Sequence, residues 1–421
     1  MSEQRRLIIR GGRRIEGEIR VQGAKNSALP LLAATVLCKG QTELYNCPRL
    51  SDCDAACRIL TALGCTCRRE NNVVCTDASA LKSSEISEKL MREMRSSIIF
   101  MGALIGRCGQ CRLSFPGGCE IGTRPIDFHL DAFRRMGAKI REEHGCIVCT
   151  AAKLRGTVIT FPVPSVGATE NVMLAAVLAE GVTEIHNAAR EPEICDLAAF
   201  LNKCGARING AGTGTIQIEG VKRLDGCRFT VMPDRIAAAT YLCCGAITRG
   251  EVLLTHADIQ SLEPVIPVLE QIGCSVYGFG GGSVYLNARK TLKAPAHIRT
   301  APYPGFPTDA QPPLMALCAT LPGTTMFSET IFENRYRHVS ELTRLGARIK
   351  VEGRVAVVEG VDRLSGAELE AGDLRGGAAM VTAGLFAEGI TRIGHVCYIE
   401  RGYEDIEGCL RSVGADIHYG S

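Results

Sequence analysis

A glycine-rich stretch at residues 116–125 holds the most reactive combination of side chains in the sequence. It reads PGGCEIGTRP and places Cys119 five residues before Arg124. Glycine and proline at this density predict a loop that could close over a bound molecule. A thiol near a helix start and an arginine favours a lowered pKa, so Cys119 is predicted to be reactive rather than a small filler residue.

Polar residues also recur where helices are predicted to begin. Six of them are spaced 70, 70, 70, 74 and 66 residues apart: Lys25, Arg95, Ser165, Arg235, Asp309 and Arg375. Starts of second helices add Arg335 and Arg401. Helix N-termini offer unpaired N–H groups and positive potential, and lysine or arginine adds charge that suits phosphate and carboxylate. Any one of these residues alone would be read as a solvated surface charge, but their recurrence in register favours an anion-binding site.

The elements that must position these residues form a repeat. An apolar-Gly-Ala/Cys signal that ends a helix occurs six times, with the glycines 73, 68, 68, 73 and 68 residues apart, at Gly64, Gly137, Gly205, Gly273, Gly346 and Gly414. A second glycine precedes each by 23 to 28 residues and is followed by a short β-like run. Such self-similarity predicts six copies of one α/β unit.

Each unit is predicted to begin with an Ala/Leu-rich helix such as residues 28–37, which is apolar on most of its surface and therefore buried. A strand follows, then a second helix that starts at a polar residue or proline, as at Ser51, Pro125, Pro192 or Ser261. Two more strands close the unit, and one strand leads in. Six units in 421 residues predict two pseudo-symmetric domains of three units, divided near residues 233–234.

Composition narrows the possible classes of protein. Hydrophobic residues make up 46% and charged residues 22% of the chain, and the net charge is +3, which argues against nucleic-acid binding driven by bulk charge. No apolar run reaches the roughly 18 residues of a membrane span. The N-terminus does not read as a signal peptide, so we expect a cytoplasmic protein.

The 21 cysteines are unusual and are predicted to be reduced thiols. The Cys108/Cys111 and Cys146/Cys149 pairs have zinc-ligand spacing, but residues 146–149 read as a strand, in which side chains three positions apart point to opposite faces. Filling of apolar space is therefore favoured over a metal site. His129 and His338 are predicted to be helix-surface or binding residues rather than metal ligands.

Seven motifs resemble those of the UDP-N-acetylglucosamine 1-carboxyvinyltransferase family. They lie in order along essentially the whole chain, at residues 23–27, 116–125, 165–169, 306–309, 332–335, 373–375 and 401–404. The resemblance implies two inside-out α/β barrel-like domains, each of three repeated units, with the active site in the cleft between them. It further implies that residues 1–24 join residues 234–421 in one domain, while residues 25–233 form the domain that carries the Cys119 loop.

The reaction implied by the resemblance moves the enolpyruvyl group of phosphoenolpyruvate to the 3-hydroxyl of UDP-N-acetylglucosamine and releases phosphate. It proceeds by addition and elimination, needs no metal or other cofactor, and begins bacterial peptidoglycan synthesis in the cytoplasm. Phosphoenolpyruvate and the UDP-sugar are the implied partners, without nucleic acid or membrane. The oligomeric state is left open.

The same resemblance assigns roles to individual residues. Cys119 is implied to be the acid near phosphoenolpyruvate, able to form a covalent adduct with it, and Asp309 the base that takes the hydroxyl proton. Lys25, Arg124 and Arg401 are implied to hold phosphate and carboxylate. A cysteine rather than an aspartate at position 119 also implies inhibition by fosfomycin.

The UDP-sugar is implied to contact a larger set of residues. Arg95 is assigned to the diphosphate and Asn26 to the sugar. Other implied binding positions are Arg124, Pro125, Ile126, Asp127, Phe128, Ser165, Gly167 and Ile331. Asp373 and Arg375 match motif positions in the cleft. Residues 161–164 depart from the family by lacking a lysine that some members carry there.

Three alternatives remain open from the sequence. The sister enzyme 3-phosphoshikimate 1-carboxyvinyltransferase shares the chemistry, but Lys25, Asn26 and the Cys119 loop argue against it. An enolpyruvyl transferase of nucleoside-antibiotic synthesis is disfavoured by the intact acceptor motifs. A non-catalytic UDP-sugar-binding regulator would need neither the thiol of Cys119 nor the carboxylate of Asp309.

Overall fold

The computed structural model describes residues 5–94, 96–114 and 126–420. These residues form two compact units. We call residues 23–114 with 126–232 the N-terminal unit, and residues 5–22 with 233–420 the C-terminal unit. The chain therefore begins in the C-terminal unit, passes through the N-terminal unit and returns.

The described helices of the N-terminal unit are Lys25–Ala34, Ser51–Ala62, Glu88–Glu93, Phe100–Cys108, Asp127–Arg135, Val166–Ala176 and Pro192–Lys203, with 3-10 turns at Thr35–Leu37 and Ser97–Ile99. Its strands form sheets in the following orders: Arg228–Thr230, Gln41–Tyr45, Val73–Asp77, Thr66–Glu70; Glu85–Ile86, Gln110–Ser114, Cys146–Thr150, Lys139–Glu143; and Val158–Thr160, Val182–His186, Thr215–Glu219, Arg207–Asn209. Strand Leu224–Asp225 also pairs with Cys38–Lys39.

The described helices of the C-terminal unit are Arg235–Ile247, Ile266–Ile272, Gln311–Cys318, Val339–Arg344, Leu374–Phe386, Cys397–Glu400 and Ile406–Ser412, with 3-10 turns at Gln260–Leu262, Thr308–Ala310 and Arg335–His338. Its sheets run in the orders Glu16–Arg20, Glu251–Thr255, Ser283–Asn287, Ser275–Phe279; His297–Arg299, Thr324–Ser328, Val355–Glu359, Arg348–Glu352; and Glu368–Glu370, Ile390–Gly394, Arg6–Arg10, Asp416–Gly420. Every four-stranded sheet in the two units begins with one parallel pair and continues antiparallel.

The core of each unit is helical, and the sheets lie outside it. Every residue of helices Arg235–Ile247 and Gln311–Cys318 is buried, as are most residues of Leu374–Phe386. Strands such as Thr215–Glu219 alternate exposed and buried side chains. Helices without a polar face can only be stable inside the protein, so the alanine-rich sequence itself requires this arrangement. The predicted inside-out α/β fold with three repeats in each unit is confirmed.

The first two strands of the chain complete sheets of the C-terminal unit. Strand Arg6–Arg10 lies between Ile390–Gly394 and Asp416–Gly420 and is antiparallel to both. Strand Glu16–Arg20 runs parallel to Glu251–Thr255. Residues more than 350 positions apart in sequence thus share one ladder.

The second helices begin near their predicted signals, with one difference. Helices Ser51–Ala62 and Pro192–Lys203 start at the predicted residues. The predicted start at Pro125 lies outside the described residues. At Ser261 the chain forms only a 3-10 turn, and the α-helix begins at Ile266, because Pro267 fits the first turn of a helix.

Candidate functional site

The structure places most of the predicted site residues at the starts of buried helices. Arg95, Cys119, Arg124 and Pro125 lie outside the described residues.

Lys25 begins the first buried helix of the N-terminal unit. Gly23 sits against Asn46 so closely that an added Cβ would overlap the carbonyl oxygen of Asn46. The Lys25 Nζ lies 3.3 Å from Oδ2 of Asp52, which is 3% exposed and belongs to the first turn of helix Ser51–Ala62. A buried carboxylate therefore holds the ammonium group at this helix start.

The residues that follow Lys25 tie the helix start to the third repeat. Ser27 is buried and donates its hydroxyl to Asp196, whose carboxylate also accepts the N–H of Met232 at 3.2 Å. The carbonyl of Met232 accepts the N–H of Ala24 at 2.8 Å. Burial raises the pKa of Asp196 to about 6. Asn26 is exposed.

Ser165 and Gly167 form the start of helix Val166–Ala176. The Oγ atom of Ser165 caps the helix by accepting the N–H of Ala168 at 3.4 Å. At Gly167 an added Cβ would lie 3.3 Å from Cε1 of His129, so only a residue without a side chain leaves this surface open. Both residues are partly exposed, as binding positions require.

Ile126, Asp127 and Phe128 surround the start of helix Asp127–Arg135. Asp127 is exposed and Phe128 is half-buried, with its ring centroid 6.2 Å from that of Phe161. Because His129 of this helix touches Gly167, the structure brings this group together with the start of helix Val166–Ala176.

His129 itself is buried, so its predicted position on a helix surface is wrong. Its Nδ1 lies 2.8 Å from Nδ2 of Asn171, whose amide also donates to the carbonyl of Ile98 and accepts the N–H of Gly102. Burial lowers the pKa of His129 to about 4, so the ring is neutral at pH 7 and accepts through Nδ1. This histidine holds two helices together.

Asp309 is the centre of the site in the C-terminal unit. Its Oδ1 lies 3.0 Å from Nη2 of Arg335 and its Oδ2 lies 3.3 Å from Nη2 of Arg375. The two arginines are 2% and 3% exposed, whereas the carboxylate is 28% exposed. Arg335 also donates from Nε and Nη2 to the carbonyl of Thr308, at 3.1 and 2.8 Å. Each carboxylate oxygen is thus held by a buried guanidinium group, while the side chain is partly exposed.

Tyr403 supports the second of these arginines. Arg375 donates from Nη1 to the Tyr403 hydroxyl at 3.3 Å, and that hydroxyl lies 2.8 Å from Oγ1 of Thr240. Burial disfavours the charged form of Arg375, yet Asp309 and Tyr403 raise its pKa above the ordinary value. Its guanidinium therefore stays charged inside the protein.

Ile331 is connected through Glu329 to Thr308, the residue before Asp309. The Oε1 atom of Glu329 accepts the N–H groups of Ile331 and Phe332 at 2.8 and 3.1 Å, and its Oε2 accepts the hydroxyl of Thr308 at 3.1 Å. Glu329 is buried. It connects the loop that carries Ile331 to Thr308, the residue before Asp309.

Asp373 acts as the N-cap of helix Leu374–Phe386. Its Oδ1 accepts the N–H groups of Arg375 and Gly376, both at 3.0 Å. His338 packs next to this cap and is buried, so its prediction as a helix-surface residue is also wrong. Burial lowers the pKa of His338 to about 4.

Arg401 ends the short helix Cys397–Glu400, in a segment that Gln22 holds in place. The Gln22 amide donates to the carbonyl of Gly402 at 3.0 Å and accepts the N–H of Glu404 at 2.7 Å. Since Tyr403 lies between these two residues, Arg401 is tied to the Arg375–Asp309 group.

Across residues 5–94, 96–114 and 126–420, no three His, Cys, Asp or Glu side chains are grouped so that they could hold a metal ion. Within the same residues, no helix has the length and apolar character needed to cross a membrane.

Similarity to known proteins assigns this chain to a family. The family described as EPSP synthase (3-phosphoshikimate 1-carboxyvinyltransferase) matches residues 9–410. UDP-N-acetylglucosamine 1-carboxyvinyltransferase 2 of Caldanaerobacter subterraneus subsp. tengcongensis is 52% identical over 97% of this chain and 98% of its own length. The protein of the same name from Carboxydothermus hydrogenoformans is 48% identical over 98% of each chain. The chain belongs to the UDP-N-acetylglucosamine 1-carboxyvinyltransferase family.

The fold agrees with this assignment. The crystal structure of the enolpyruvyl transferase NikO from Streptomyces tendae matches with a TM-score of 0.89 at 27% identity, over 99% of both chains. The relatives and the family match confirm the predicted membership in the UDP-N-acetylglucosamine 1-carboxyvinyltransferase family.

In this member of the UDP-N-acetylglucosamine 1-carboxyvinyltransferase family, the predicted site residues that the structure describes form three groups. Asp309, Ile331, Asp373, Arg375 and Arg401 are linked in the C-terminal unit. Lys25 with Asn26, and Ser165 with Gly167 and residues 126–128, form two groups in the N-terminal unit.

Sequence reasoning missed the residues that hold these groups, which are Gln22, Asp52, Asp196, Glu329 and Tyr403. Tyr403 lies inside one of the family motifs, which was the available signal for it. Asp52 sits in the first turn of a predicted helix, but nothing in the sequence linked it to Lys25.

Proposed function

We propose that this chain transfers the enolpyruvyl group of phosphoenolpyruvate to the 3-hydroxyl of UDP-N-acetylglucosamine and releases phosphate, the first committed step of peptidoglycan synthesis. Membership in the family makes the chain an enzyme of the enolpyruvyl transferase type. The observation that carries the proposal is the partly exposed Asp309 carboxylate, each oxygen of which is held by a buried arginine.

Asp309 is suited to take the proton of the sugar hydroxyl. A general base must be within hydrogen-bond reach of the proton and must keep a fixed direction. Arg335 and Arg375 each engage one carboxylate oxygen, so rotation of the carboxylate is restrained. Their fixed charges add positive potential where phosphoenolpyruvate brings negative charge.

The proposed anion-binding residues are Lys25, Arg401 and Arg124, with Arg95 at the diphosphate of the UDP-sugar. For Lys25 the support is its place at a helix start, where the N–H groups add to the ammonium charge. The buried partner Asp52 keeps the side chain directed without covering it completely.

The sugar nucleotide is proposed to contact Asn26 and the two adjoining helix starts around Asp127 and Ser165. Arg124, Pro125, Ile126, Phe128, Gly167 and Ile331 are proposed for the same ligand. Asp373 shapes its part of the site as a helix cap, and Arg375 acts through Asp309.

Cys119 is proposed to supply the proton to the methylene carbon of phosphoenolpyruvate. Addition of the sugar oxygen to the adjacent carbon gives a tetrahedral intermediate. Loss of phosphate and of the methyl proton then restores the double bond. We propose a cytoplasmic location and a mechanism without metal or other cofactor, on the strength of the family relationship.

The deciding experiment measures phosphate release from phosphoenolpyruvate with either UDP-N-acetylglucosamine or shikimate 3-phosphate as acceptor. Release with the UDP-sugar alone, abolished by fosfomycin, is the expected result. Release with shikimate 3-phosphate alone would assign the chain to the sister reaction. Binding of the UDP-sugar without any release would indicate a regulator or an enzyme with another acceptor.

Two variants test the assigned roles. Cys119→Ser and Asp309→Ala are expected to reduce turnover by orders of magnitude while UDP-sugar binding, followed by calorimetry, is largely kept. Near-normal turnover in either variant would remove that residue from its role. Asp131→Asn, an exposed aspartate on helix Asp127–Arg135, is the control.

A further inference from the structure

Two thiols face each other where the third repeat of the N-terminal unit meets the first. Cys204 directly follows helix Pro192–Lys203, and Cys227 directly precedes strand Arg228–Thr230. Their sulfur atoms lie 3.4 Å apart, and both residues are free thiols. Cys204 is 3% exposed, whereas Cys227 is half-buried and within reach of small molecules.

The backbone already fixes the approach of these two residues. The N–H of Asp225 donates to the carbonyl of Cys204 at 2.9 Å, and the N–H of Glu43 donates to the carbonyl of Cys227 at 2.9 Å. A disulfide needs sulfur atoms about 2.05 Å apart. Because backbone hydrogen bonds hold both segments at the cysteines, we expect the remaining distance to be closed by rotation of the two side chains.

We propose that Cys204 and Cys227 form a thiol–disulfide exchange site whose substrate is a small-molecule disulfide and whose product is an internal disulfide bond. The thiolate of Cys227 attacks one sulfur of the small disulfide, and the other sulfur leaves as a thiolate. Cys204 then attacks the Cys227 sulfur and expels the second thiolate. The two protein thiols lose two electrons and two protons, and the small disulfide is reduced to two thiols.

The bond would brace the elements that position Lys25. Helix Pro192–Lys203 carries Asp196, which holds Ser27 and Met232. Strand Arg228–Thr230 leads directly to Met232. The disulfide would join this helix and strand across 23 residues of sequence, which restricts the unfolded chain more than the folded one.

Exchange at this site should be slow at neutral pH. The pKa of the Cys227 thiol is raised mainly by its hydrogen bond with Cys204 and also by burial, so little thiolate is present. The pair therefore suits gradual accumulation under sustained oxidation, and the test is run at pH 8.5 over many hours.

The experiment incubates the full chain with oxidised glutathione, alkylates the remaining thiols and digests with trypsin. Cleavage after Lys203, Arg207, Arg223 and Arg228 isolates the two cysteines in residues 204–207 and 224–228. The expected result is a disulfide between these peptides, with a melting temperature raised by roughly 5–10 °C and restored by dithiothreitol.

Variants separate this bond from other oxidation. Cys204→Ser and Cys227→Ser should each lose the linked peptides and the rise in melting temperature. Cys195→Ser, a half-buried cysteine of the same helix, should keep both. The proposal would be overturned if no linked peptide were found at equilibrium, or if Cys227→Ser kept the full rise in melting temperature. Linkage of Cys204 to its buried neighbour Cys38 would also overturn it. None of these measurements uses enzyme activity, so they do not depend on the proposed function.

Discussion

The Oδ2 atom of Asp309 lies 3.3 Å from Nη2 of Arg375, a residue 66 positions later and almost wholly buried. Arg375 in turn donates to Tyr403, next to Gly402 and Arg401. A change at Asp309 therefore reaches the segment that carries the proposed phosphate-binding arginine. Substitutions of residues behind the site are therefore expected to change its geometry.

Arg335→Lys should lower kcat by about 10- to 100-fold and leave the affinity for UDP-N-acetylglucosamine within about twofold. A lysine cannot bond the Thr308 carbonyl and the Asp309 carboxylate with the fixed planar geometry of arginine. Steady-state kinetics and calorimetry would measure the two effects. Arg344→Lys, at the exposed end of helix Val339–Arg344, is the matched control. A wild-type kcat in Arg335→Lys would contradict the positioning role.

Gln22→Ala should reduce kcat/KM for phosphoenolpyruvate by about tenfold, because both hydrogen bonds that hold residues 402–404 would be lost. The effect should appear mainly in KM, since Arg401 is proposed to bind the substrate anion. Gln41→Ala alters an exposed glutamine on a sheet and should change neither constant. Equal effects of the two substitutions would argue against a specific role of Gln22.

Asp196→Asn should change how stability depends on pH. Folding raises the pKa of Asp196 from 3.8 to about 6, so the folded chain binds this proton more tightly than the unfolded chain. The resulting stabilisation is complete below pH 3.8 and is lost as the pH rises through 6. The amide oxygen of asparagine can still accept the bonds from Ser27 and Met232, which both reach one carboxylate oxygen.

Relative to wild type, the free energy of unfolding of Asp196→Asn should therefore increase by about 1–2 kcal/mol as the pH rises from 4 to 7. Partial solvent exposure of the side chain limits this amount. Urea denaturation at several pH values would measure it. Asp131→Asn, on an exposed helix surface, should show no such trend. A difference between wild type and Asp196→Asn that stays constant with pH would disprove the assignment.

Gly23→Ala should lower the free energy of unfolding by about 2–3 kcal/mol and weaken anion binding by Lys25. The new Cβ would overlap the Asn46 carbonyl, which belongs to the backbone and cannot rotate away. Gly280→Ala places a Cβ in open space and provides the control. Thermal denaturation of the two variants should differ clearly, and equal stability would show that the start of helix Lys25–Ala34 tolerates displacement.

The repeat was predictable because each part of it has a local physical signature. Glycine after the apolar residue takes a positive φ at Gly64, Gly137, Gly205, Gly273, Gly346 and Gly414, which other residues rarely adopt. The wholly apolar helices could only be buried. These signals need no knowledge of distant contacts, and they predicted six α/β units in two domains, whereas the inside-out arrangement was implied by the family resemblance.

The contacts behind the site could not be read in this way. Ser27 and Asp196 are 169 residues apart, and Gln22 and Gly402 are 380 apart, so their pairing depends on how the repeats close. The burial of His129 was not predictable, because a single polar residue does not reveal which helix face is covered. Its buried partner Asn171 is in another repeat.

The position of strand Arg6–Arg10 has a consequence for synthesis of the chain. This strand is synthesised long before its partners, which lie in residues 390–420. Meanwhile the N-terminal unit can fold, while the apolar Leu-Ile-Ile run of the first strand still lacks its partner strands. Exposed apolar strands of this type favour association between nascent chains, and the arginines on both sides of the run oppose it by charge. We therefore expect Arg6 and Arg10 to reduce such association before the native sheet forms.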